Sequence, residues 1–226
     1  MNVVGVLLAA GAGTRTKLSE PKQMIRIGNK TLFQYTLDVL VKSHPYTKIL
    51  LVVSKKTRKD ITEIVERSYR TYPIHILLGG MSRKKSIQNA IRYVSSEEVP
   101  CDLILFQDAA RPLVEGKDYT QVIYQSSKSD GAILAEPLRG LAVSIRGQRI
   151  KEVTMESRYV TTMPECYKFK VIEQLYRSPK VKNNYTLTNL ELMLLHKRNV
   201  HLVLSRKLNL KVTFPEDVTL IESLLT

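Results

Sequence analysis

The sequence contains only two cysteines, no tryptophan and no long apolar run. Cys101 and Cys166 are too isolated for a disulfide framework, which favours a reducing compartment, so we expect a cytoplasmic protein. No apolar stretch approaches the roughly 18 residues of a membrane-spanning helix. The N-terminus runs directly into a short apolar segment and shows no signal peptide, so we expect no association with a membrane.

Acidic residues are scarce relative to basic ones, with 21 Asp and Glu against 35 Lys and Arg and a formal net charge of +14. Such an excess calls for an anionic partner. The basic residues are scattered, and no aromatic-rich strand motif accompanies them as in proteins that read single-stranded RNA. The distribution therefore argues against nucleic acid, and we expect part of the charge to converge on phosphate substrates.

Metal-ligand spacing is also absent from the four histidines, which are His44, His75, His196 and His201. What is present is an alternation of short apolar runs with helical patterns. Val3–Leu8, Ile49–Val53, Ile74–Leu78, Leu103–Gln107 and Ala132–Ala135 are predicted as buried strands. Apolar residues recur at helical spacing between them, as in Ile87, Ala90, Ile91 and Val94. This pattern predicts an α/β protein with a Rossmann-like, mostly parallel sheet covered by helices on both faces, forming a single domain over residues 1–226.

Two local patterns refine this prediction. Between about residues 138 and 162 the strand–helix alternation stops, and weak period-two alternation around Arg146-Gly147-Gln148 predicts a β-hairpin inserted as an arm. Near the C-terminus, Thr213 and Glu216 have the spacing of a capping box, with Pro215 in the first turn. They predict a helix that ends at Leu225.

The most informative stretch begins where the first predicted strand ends. Small residues follow at Ala9, Ala10, Gly11, Ala12 and Gly13, then Arg15, and Lys22 comes within Pro21-Lys22-Gln23. Backbone amides beside glycines can close on a phosphate chain, and two cations next to them suit a triphosphate. A dinucleotide-binding loop would need a third glycine where Thr16 stands, and Lys22 is too distant for a P-loop.

Five motifs in order resemble those of the sugar-phosphate nucleotidyltransferases, in particular the 2-C-methyl-D-erythritol 4-phosphate and ribitol-5-phosphate cytidylyltransferases. The first loop together with Pro-Lys-Gln is one of these motifs. The other four are Gly79-Gly80-x-x-Arg83-x-x-Ser86, Asp108-Ala109-Ala110-Arg111-Pro112, Ala132-Ile133-Leu134-Ala135-x-Pro137 and Asn209-Leu210-Lys211-Val212-Thr213-x-Pro215-Glu216-Asp217. The resemblance runs nearly end to end. It implies transfer of CMP from CTP to a polyol phosphate, with methylerythritol phosphate, an isoprenoid precursor, as the first acceptor and ribitol 5-phosphate as the alternative.

The resemblance also implies roles for individual residues. Arg15, Lys22, Lys211 and Arg158 are implied as catalytic, Asp108 as the ligand of Mg²⁺, and the nucleotide-binding residues as Ala9, Ala10, Gly11, Ala12, Gly13, Gly79, Gly80, Ser86 and Ala109. Asp108 follows a predicted strand at its carboxyl end, where open α/β sheets bind ligands, but a helix N-cap or an ion pair with Arg111 would also explain it. The arm of related proteins completes the partner's site, which implies a homodimer.

The chain departs from the family pattern on the acceptor side. Gly140-Leu141 stands where the family has Asp-Thr, Met163-Pro164-Glu165-Cys166-Tyr167 where it has Thr-Pro-Gln-x-Phe, and Thr188-Asn189 where it has Thr-Asp. Arg158 is about three residues out of register, and Met81 replaces an acidic residue of some members. Leu141 and Asn189 predict an impaired methylerythritol site, so a CTP-binding protein without turnover stays open as an alternative to an active enzyme.

Overall fold

A computed structural model describes residues 1–11, 20–138, 140, 143–153, 159–178, 187–205 and 207–225. Within these ranges the chain forms eleven strands. They are β1 (Val3–Ala9), β2 (Arg26–Ile27), β3 (Lys30–Thr31), β4 (Lys48–Val53), β5 (Ile74–Leu78), β6 (Leu103–Asp108), β7 (Gly131–Pro137), β8 (Val143–Arg146), β9 (Arg149–Val153), β10 (Tyr159–Lys168) and β11 (Val200–Leu204). All five strands predicted from apolar runs are confirmed.

Seven of these strands form one sheet in the order β11-β7-β10-β6-β1-β4-β5. β1 lies parallel to both β4 and β6, β5 lies parallel to β4, and β11 lies parallel to β7. β10 is antiparallel to its neighbours β6 and β7. The mostly parallel, Rossmann-like sheet is therefore confirmed, with one reversed strand in its middle.

Seven α-helices are described along the chain, together with a 3-10 helix over Lys22–Met24. They are α1 (Leu32–Ser43), α2 (Arg58–Ser68), α3 (Arg83–Ser96), α4 (Gly116–Lys128), α5 (Phe169–Arg177), α6 (Asn189–Leu195) and α7 (Pro215–Leu225). The apolar faces of α1, α2 and α4 pack in one core cluster with strand residues such as Leu7 and Leu51. Those of α3, α5 and α6 pack in a second cluster with Val6 and Leu50. Because alternate residues of a strand point to opposite faces, the two clusters cover the two sides of the sheet.

Several helices begin at the caps that their sequences provide. The Ser82 hydroxyl accepts the backbone N–H of Lys85 at 3.1 Å where α3 begins. At α7, however, the predicted pairing of Thr213 with Glu216 is wrong. The Asp217 carboxylate accepts the backbone N–H groups of Thr213 and Phe214 at 2.6 and 2.8 Å, so the cap is displaced by one residue. Aspartate three residues after the cap reaches back as well as glutamate does.

The predicted arm hairpin is present as β8 and β9, which pair antiparallel and turn at Gly147 with φ +63°. Every residue of β9 is exposed, including Ile150 and Val153. The arm thus carries apolar side chains into solvent. Among the described residues, no helix is long and apolar enough to cross a membrane.

Candidate active site

A cavity of about 660 Å³ opens where β1 and β6 end, at the carboxyl edge of the parallel strands. This is where open α/β sheets bind their ligands, because the loops that leave adjacent strands diverge there. Its lining comes from five separated segments of the chain. These residues are Leu8, Ala9, Ala10, Gly11, Lys22, Gln23, Gly80, Met81, Ser82, Arg83, Ser86, Asp108, Ala109, Ala110, Lys211 and Thr213.

Most of the predicted nucleotide-binding residues meet at this cavity. Ala9, Ala10, Gly11, Gly80, Ser86 and Ala109 line it, whereas Gly79 does not belong to the lining. Gly79 is required for packing, since a Cβ there would lie 2.4 Å from the Cβ of Ala10. Ala12, Gly13 and Arg15 lie outside the described residues.

The glycine pair of the second motif has its amides engaged within the protein. The N–H of Gly79 donates to the Val53 carbonyl at 2.9 Å, and the N–H of Gly80 donates to Ser86 Oγ at 3.1 Å. A Cβ on Gly80 would also lie 2.3 Å from Lys85 Cγ. Ser86 therefore shapes the loop that borders the cavity.

Asp108, at the end of β6, is the only acidic residue among the described residues that line the cavity. Its Oδ2 accepts from Lys211 Nζ at 2.7 Å, and its Oδ1 lies 3.4 Å from Arg83 Nε. Arg111 is more distant, with Nε 3.8 Å from Oδ2. The N-cap alternative is wrong, because α4 begins only at Gly116 with Glu115 as its N-cap, and the ion pair with Arg111 is the weakest of three.

The charge of Asp108 is strongly stabilised. Burial alone would raise the pKa of its carboxyl, but the positive charges of Arg83, Lys211 and Arg111 hold that pKa well below its usual range. Asp108 is therefore an anion at every pH near neutrality. A cavity with one permanent carboxylate and several cations suits phosphate groups together with a metal ion.

Two cations from distant parts of the chain contact the backbone of the segment before α7, which carries Lys211. Lys22 Nζ donates to the Val212 carbonyl at 3.1 Å, so Lys22 and Lys211 reach the cavity from neighbouring points of the wall. The Arg111 guanidinium donates to the Asn209 carbonyl at 2.6 Å and braces the same segment. These contacts link the Pro-Lys-Gln motif to the last motif of the chain.

Sequence reasoning quoted Arg83 within a motif but assigned it no role. In the structure its guanidinium lines the cavity and bridges two carboxylates, Asp108 and Glu165, the latter at 3.1 Å from Nη2. The sequence did contain one signal for this role, since Arg83 stands at the start of a helix and Asp108 stands at the end of a strand. Only the packing of β10 against β6 reveals the second carboxylate.

Three of the departures from the family pattern meet behind Arg83. Glu165 accepts from Asn189 Nδ2 and from the Tyr167 hydroxyl, both at 2.9 Å, and Asn189 Oδ1 accepts from the Tyr176 hydroxyl at 2.6 Å. Asn189 is 1% exposed and does not line the cavity. Its amide is therefore paired within the protein, and its predicted effect on acceptor use stays a prediction.

The remaining departures lie nearer the arm. Gly140 adopts φ +106°, a conformation that favours glycine and accounts for the loss of a larger residue there. Leu141 and Arg158 lie outside the described residues, so the predicted reach of Arg158 stays a prediction. Met81 is fully exposed at the rim of the cavity.

Comparison with known protein families decides the affiliation of the chain. The family model for 2-C-methyl-D-erythritol 4-phosphate cytidylyltransferase matches residues 3–226. The chain belongs to this family of nucleotidyltransferases. Curated relatives of that name include a Vibrio vulnificus protein, 30% identical over 98% of this chain and 93% of its own length, and one from Rhodopirellula baltica, 28% identical over 97% and 93%.

Solved structures agree with the fold of this family. The 4-diphosphocytidyl-2C-methyl-D-erythritol synthase of Anaerococcus prevotii superposes with a TM-score of 0.85 at 20% identity, covering 99% of this chain and 96% of that one. The bifunctional protein of Campylobacter jejuni gives a TM-score of 0.76 at 21% identity, covering 97% of this chain and 54% of that one. The predicted fold and family are thereby confirmed.

Proposed function

We propose that this chain transfers the cytidylyl group of CTP to 2-C-methyl-D-erythritol 4-phosphate, a step in isoprenoid precursor synthesis, and releases pyrophosphate. The observation that carries the proposal is the cavity at the ends of β1 and β6. There Lys22, Arg83 and Lys211 line the cavity together with Asp108, and Arg83 and Lys211 pair with its carboxylate. The family to which the chain belongs performs this reaction, and the departures at Glu165 and Asn189 are accommodated within the protein.

In the reaction, a phosphate oxygen of the acceptor attacks the α-phosphorus of CTP. The bond from that phosphorus to the β-phosphate oxygen breaks, and pyrophosphate leaves with its electron pair. Because both reactants are polyanions, the protein acts mainly by neutralising charge and aligning the reacting atoms. Lys22, with Arg15, stabilises the negative charge that builds up around the α-phosphorus, and the amides from Ala9 to Gly13 bind the triphosphate.

The base and the ribose bind at the other end of the cavity, along the loop from Gly80 to Ser82 and the first turn of α3, which carries Ser86. The Gly79 and Gly80 N–H groups already donate hydrogen bonds within the protein. The cytosine edge would therefore bind to backbone carbonyls of this segment and to backbone groups that follow Met81. A wrong base would leave buried polar groups unpaired, which is how such a loop discriminates. Lys211 holds the acceptor phosphate.

A divalent metal fits the donors present. Within the described residues, no cluster of three or more His, Cys, Asp or Glu could hold a metal without help from a ligand. Mg²⁺ is commonly bound through one or two carboxylates plus substrate phosphates, which matches Asp108 beside a triphosphate. Asp108 would hold the ion, which would neutralise phosphate charge when bound, and Lys211, still beside the carboxylate, would direct its remaining N–H donors to the acceptor phosphate.

The arm supports a homodimer. Val143, Ile150 and Val153 are exposed on β8 and β9, and a second copy of the chain would bury them. In this assembly Arg158 of the arm grips the acceptor phosphate in the site of the partner.

Pyrophosphate release with purified protein, CTP and Mg²⁺ tests the activity. We expect turnover with 2-C-methyl-D-erythritol 4-phosphate, with slower turnover for ribitol 5-phosphate and glycerol 3-phosphate, and none after EDTA treatment until Mg²⁺ is restored. UTP and ATP serve as nucleotide controls. Binding of CTP by calorimetry without pyrophosphate release from any acceptor would identify a protein that binds CTP without turning it over.

A further inference from the structure

The charge of Glu165 is buried in the wall behind the cavity, where it needs an explanation. Its side chain is 4% exposed, and its position on β10 is opposite Phe106 of β6. The pairing of β10 with β7 changes register between Thr161 and Glu165, so Glu165 is the first residue of the resumed ladder. A charge at such a place is tolerated only when it is paired and hydrogen-bonded.

Each hydrogen-bond partner of Glu165 among the described residues is a donor. Oε1 accepts from Arg83 Nη2 at 3.1 Å and from Asn189 Nδ2 at 2.9 Å, while Oε2 accepts from the Tyr167 hydroxyl at 2.9 Å. The Tyr176 hydroxyl donates to Asn189 Oδ1 and fixes the orientation of its amide. We call Glu165, Tyr167, Tyr176 and Asn189 the Glu165 cluster; it contains one negative charge.

Arg83 connects this cluster to the cavity. One edge of its guanidinium faces Glu165, and its Nε lies 3.4 Å from Asp108 Oδ1. The other oxygen of Asp108 accepts from Lys211 Nζ at 2.7 Å, with Arg111 Nε more distant at 3.8 Å. Arg83 is thus shared between two carboxylates, and Asp108 is shared among three cations.

We propose that Glu165 is a positioning residue that acts through Arg83, and that the Glu165–Asn189 pair works because it carries exactly one negative charge. By holding Arg83 against the wall, Glu165 keeps the guanidinium from taking both oxygens of Asp108. Lys211 then keeps its place beside the carboxylate. This role rests on the proposed function, because Lys211 and Asp108 are the groups it positions.

Loss of the Glu165 charge would leave Arg83 with Asp108 as its remaining anion. Arginine prefers to bind a carboxylate through two parallel hydrogen bonds, so it would compete with Lys211 for Oδ2. Displacement of reacting groups by about 1 Å can lower a rate by about 100-fold. The reverse change, aspartate at position 189, would bring two buried carboxylates within hydrogen-bond distance and repel both.

The chain therefore offers a charge-exchange experiment with three variants. Glu165→Gln leaves the cluster without an anion, Asn189→Asp gives it two, and the double variant Glu165→Gln/Asn189→Asp restores one. Each exchange of carboxylate and amide nearly preserves volume. Glu173→Gln is the matched control, because Glu173 pairs with Arg177 at 2.6 Å and accepts from Ser95 Oγ but does not belong to the described cavity lining.

We expect kcat for pyrophosphate release to fall about tenfold or more in each single variant, with the CTP dissociation constant changed less than about threefold. The double variant should recover to within about fivefold of the unmodified enzyme, which is strong non-additivity. The unfolding temperature should likewise fall in both single variants, most of all in Asn189→Asp, and recover in the double variant. Tyr167→Phe removes one donor without changing charge and should lower kcat less than about threefold.

The outcomes separate the two proposals. If the unmodified enzyme releases no pyrophosphate while CTP binds, the proposed function and this role are both overturned. If it is active and Glu165→Gln keeps kcat within about twofold, or the double variant is no better than the worse single one, only the positioning role is overturned. If Asn189→Asp does not fold, Glu165→Gln and Tyr167→Phe still decide between charge and hydrogen bonding.

Discussion

The cavity edge of the sheet and the arm are built in opposite ways. All six residues of β6 are buried, and the strand ends at Asp108 among cations held by backbone carbonyls and a second carboxylate. All five residues of β9 are exposed, with Ile150 and Val153 in solvent. The geometry of the cavity edge is therefore set within a single chain, whereas the arm has apolar side chains that no described part of the chain covers.

This contrast separates the two halves of the proposed reaction. The residues proposed for the triphosphate and the metal lie at and beside the ends of buried strands, so CTP binding should be a property of each chain alone. In the proposed dimer the arm completes the acceptor side of the partner, so acceptor use should depend on association. The predictions below test this division, beginning with the largest expected effect.

The strongest test of the buried region is Leu105→Ala in the middle of β6. Leu105 is fully buried in the main core cluster, so removing its side-chain atoms should lower the free energy of unfolding by about 2–5 kcal/mol. Urea denaturation followed by circular dichroism gives the value. A change near zero in the free energy of unfolding would contradict the packing of β6 on which the position of Asp108 depends.

Lys22→Ala tests the cation beside the phosphate loop. Since Lys22 acts on charge that develops in the transition state, kcat should fall about 10²–10³-fold with little change in the KM for CTP. Arg15→Ala should act in the same way. Lys59→Ala, on the exposed face of α2, is the control. A rise in KM at constant kcat would instead assign Lys22 to ground-state binding.

Lys211→Ala tests the boundary between the two halves. Loss of its ammonium should raise the KM for methylerythritol phosphate about tenfold or more, because a charged hydrogen bond to phosphate is lost. The CTP dissociation constant should change less, since the triphosphate loop is intact. Steady-state kinetics with each substrate varied in turn separate these effects, and equal losses for both substrates would contradict the assignment.

The arm is tested by the paired substitution Ile150→Asp and Val153→Asp. Both side chains are exposed in the single chain, so the fold should persist while burial of two charges prevents association. Sedimentation should show a shift from dimer to monomer, acceptor use should fall, and calorimetric CTP binding should remain. A dimer that survives this change would place the interface elsewhere.

The smallest effect is expected for Ile150→Ala. In the monomer this change should alter the free energy of unfolding by less than about 0.5 kcal/mol, because an exposed side chain loses little packing. The difference in free energy of unfolding between Ile150→Ala and Leu105→Ala, measured in the same denaturation experiment, compares the packing of the arm with that of β6. A large cost at low protein concentration would show that the arm packs on its own body.

Local patterns predicted much of the fold. The apolar runs of β1 and β4–β7, the spacing of α3 and the turn at Gly147 each depend on neighbours a few residues away, so periodicity was sufficient. The cap of α7 was misplaced by one residue because Asp217 and Glu216 offer the same chemistry, and only the backbone geometry selects between them.

The sequence by itself determined the residue types of the site, since motifs with glycine, lysine and aspartate in order specified the phosphate chemistry and the family. Tertiary structure alone decided which charges meet. Asp108 is joined to Arg83 and Lys211 across 25 and 103 positions, and Glu165 to Asn189 across 24. Glu165, Tyr167 and Asn189, which look like separate losses in the sequence, form one hydrogen-bonded cluster in space, because a buried polar group is stable only when it is paired.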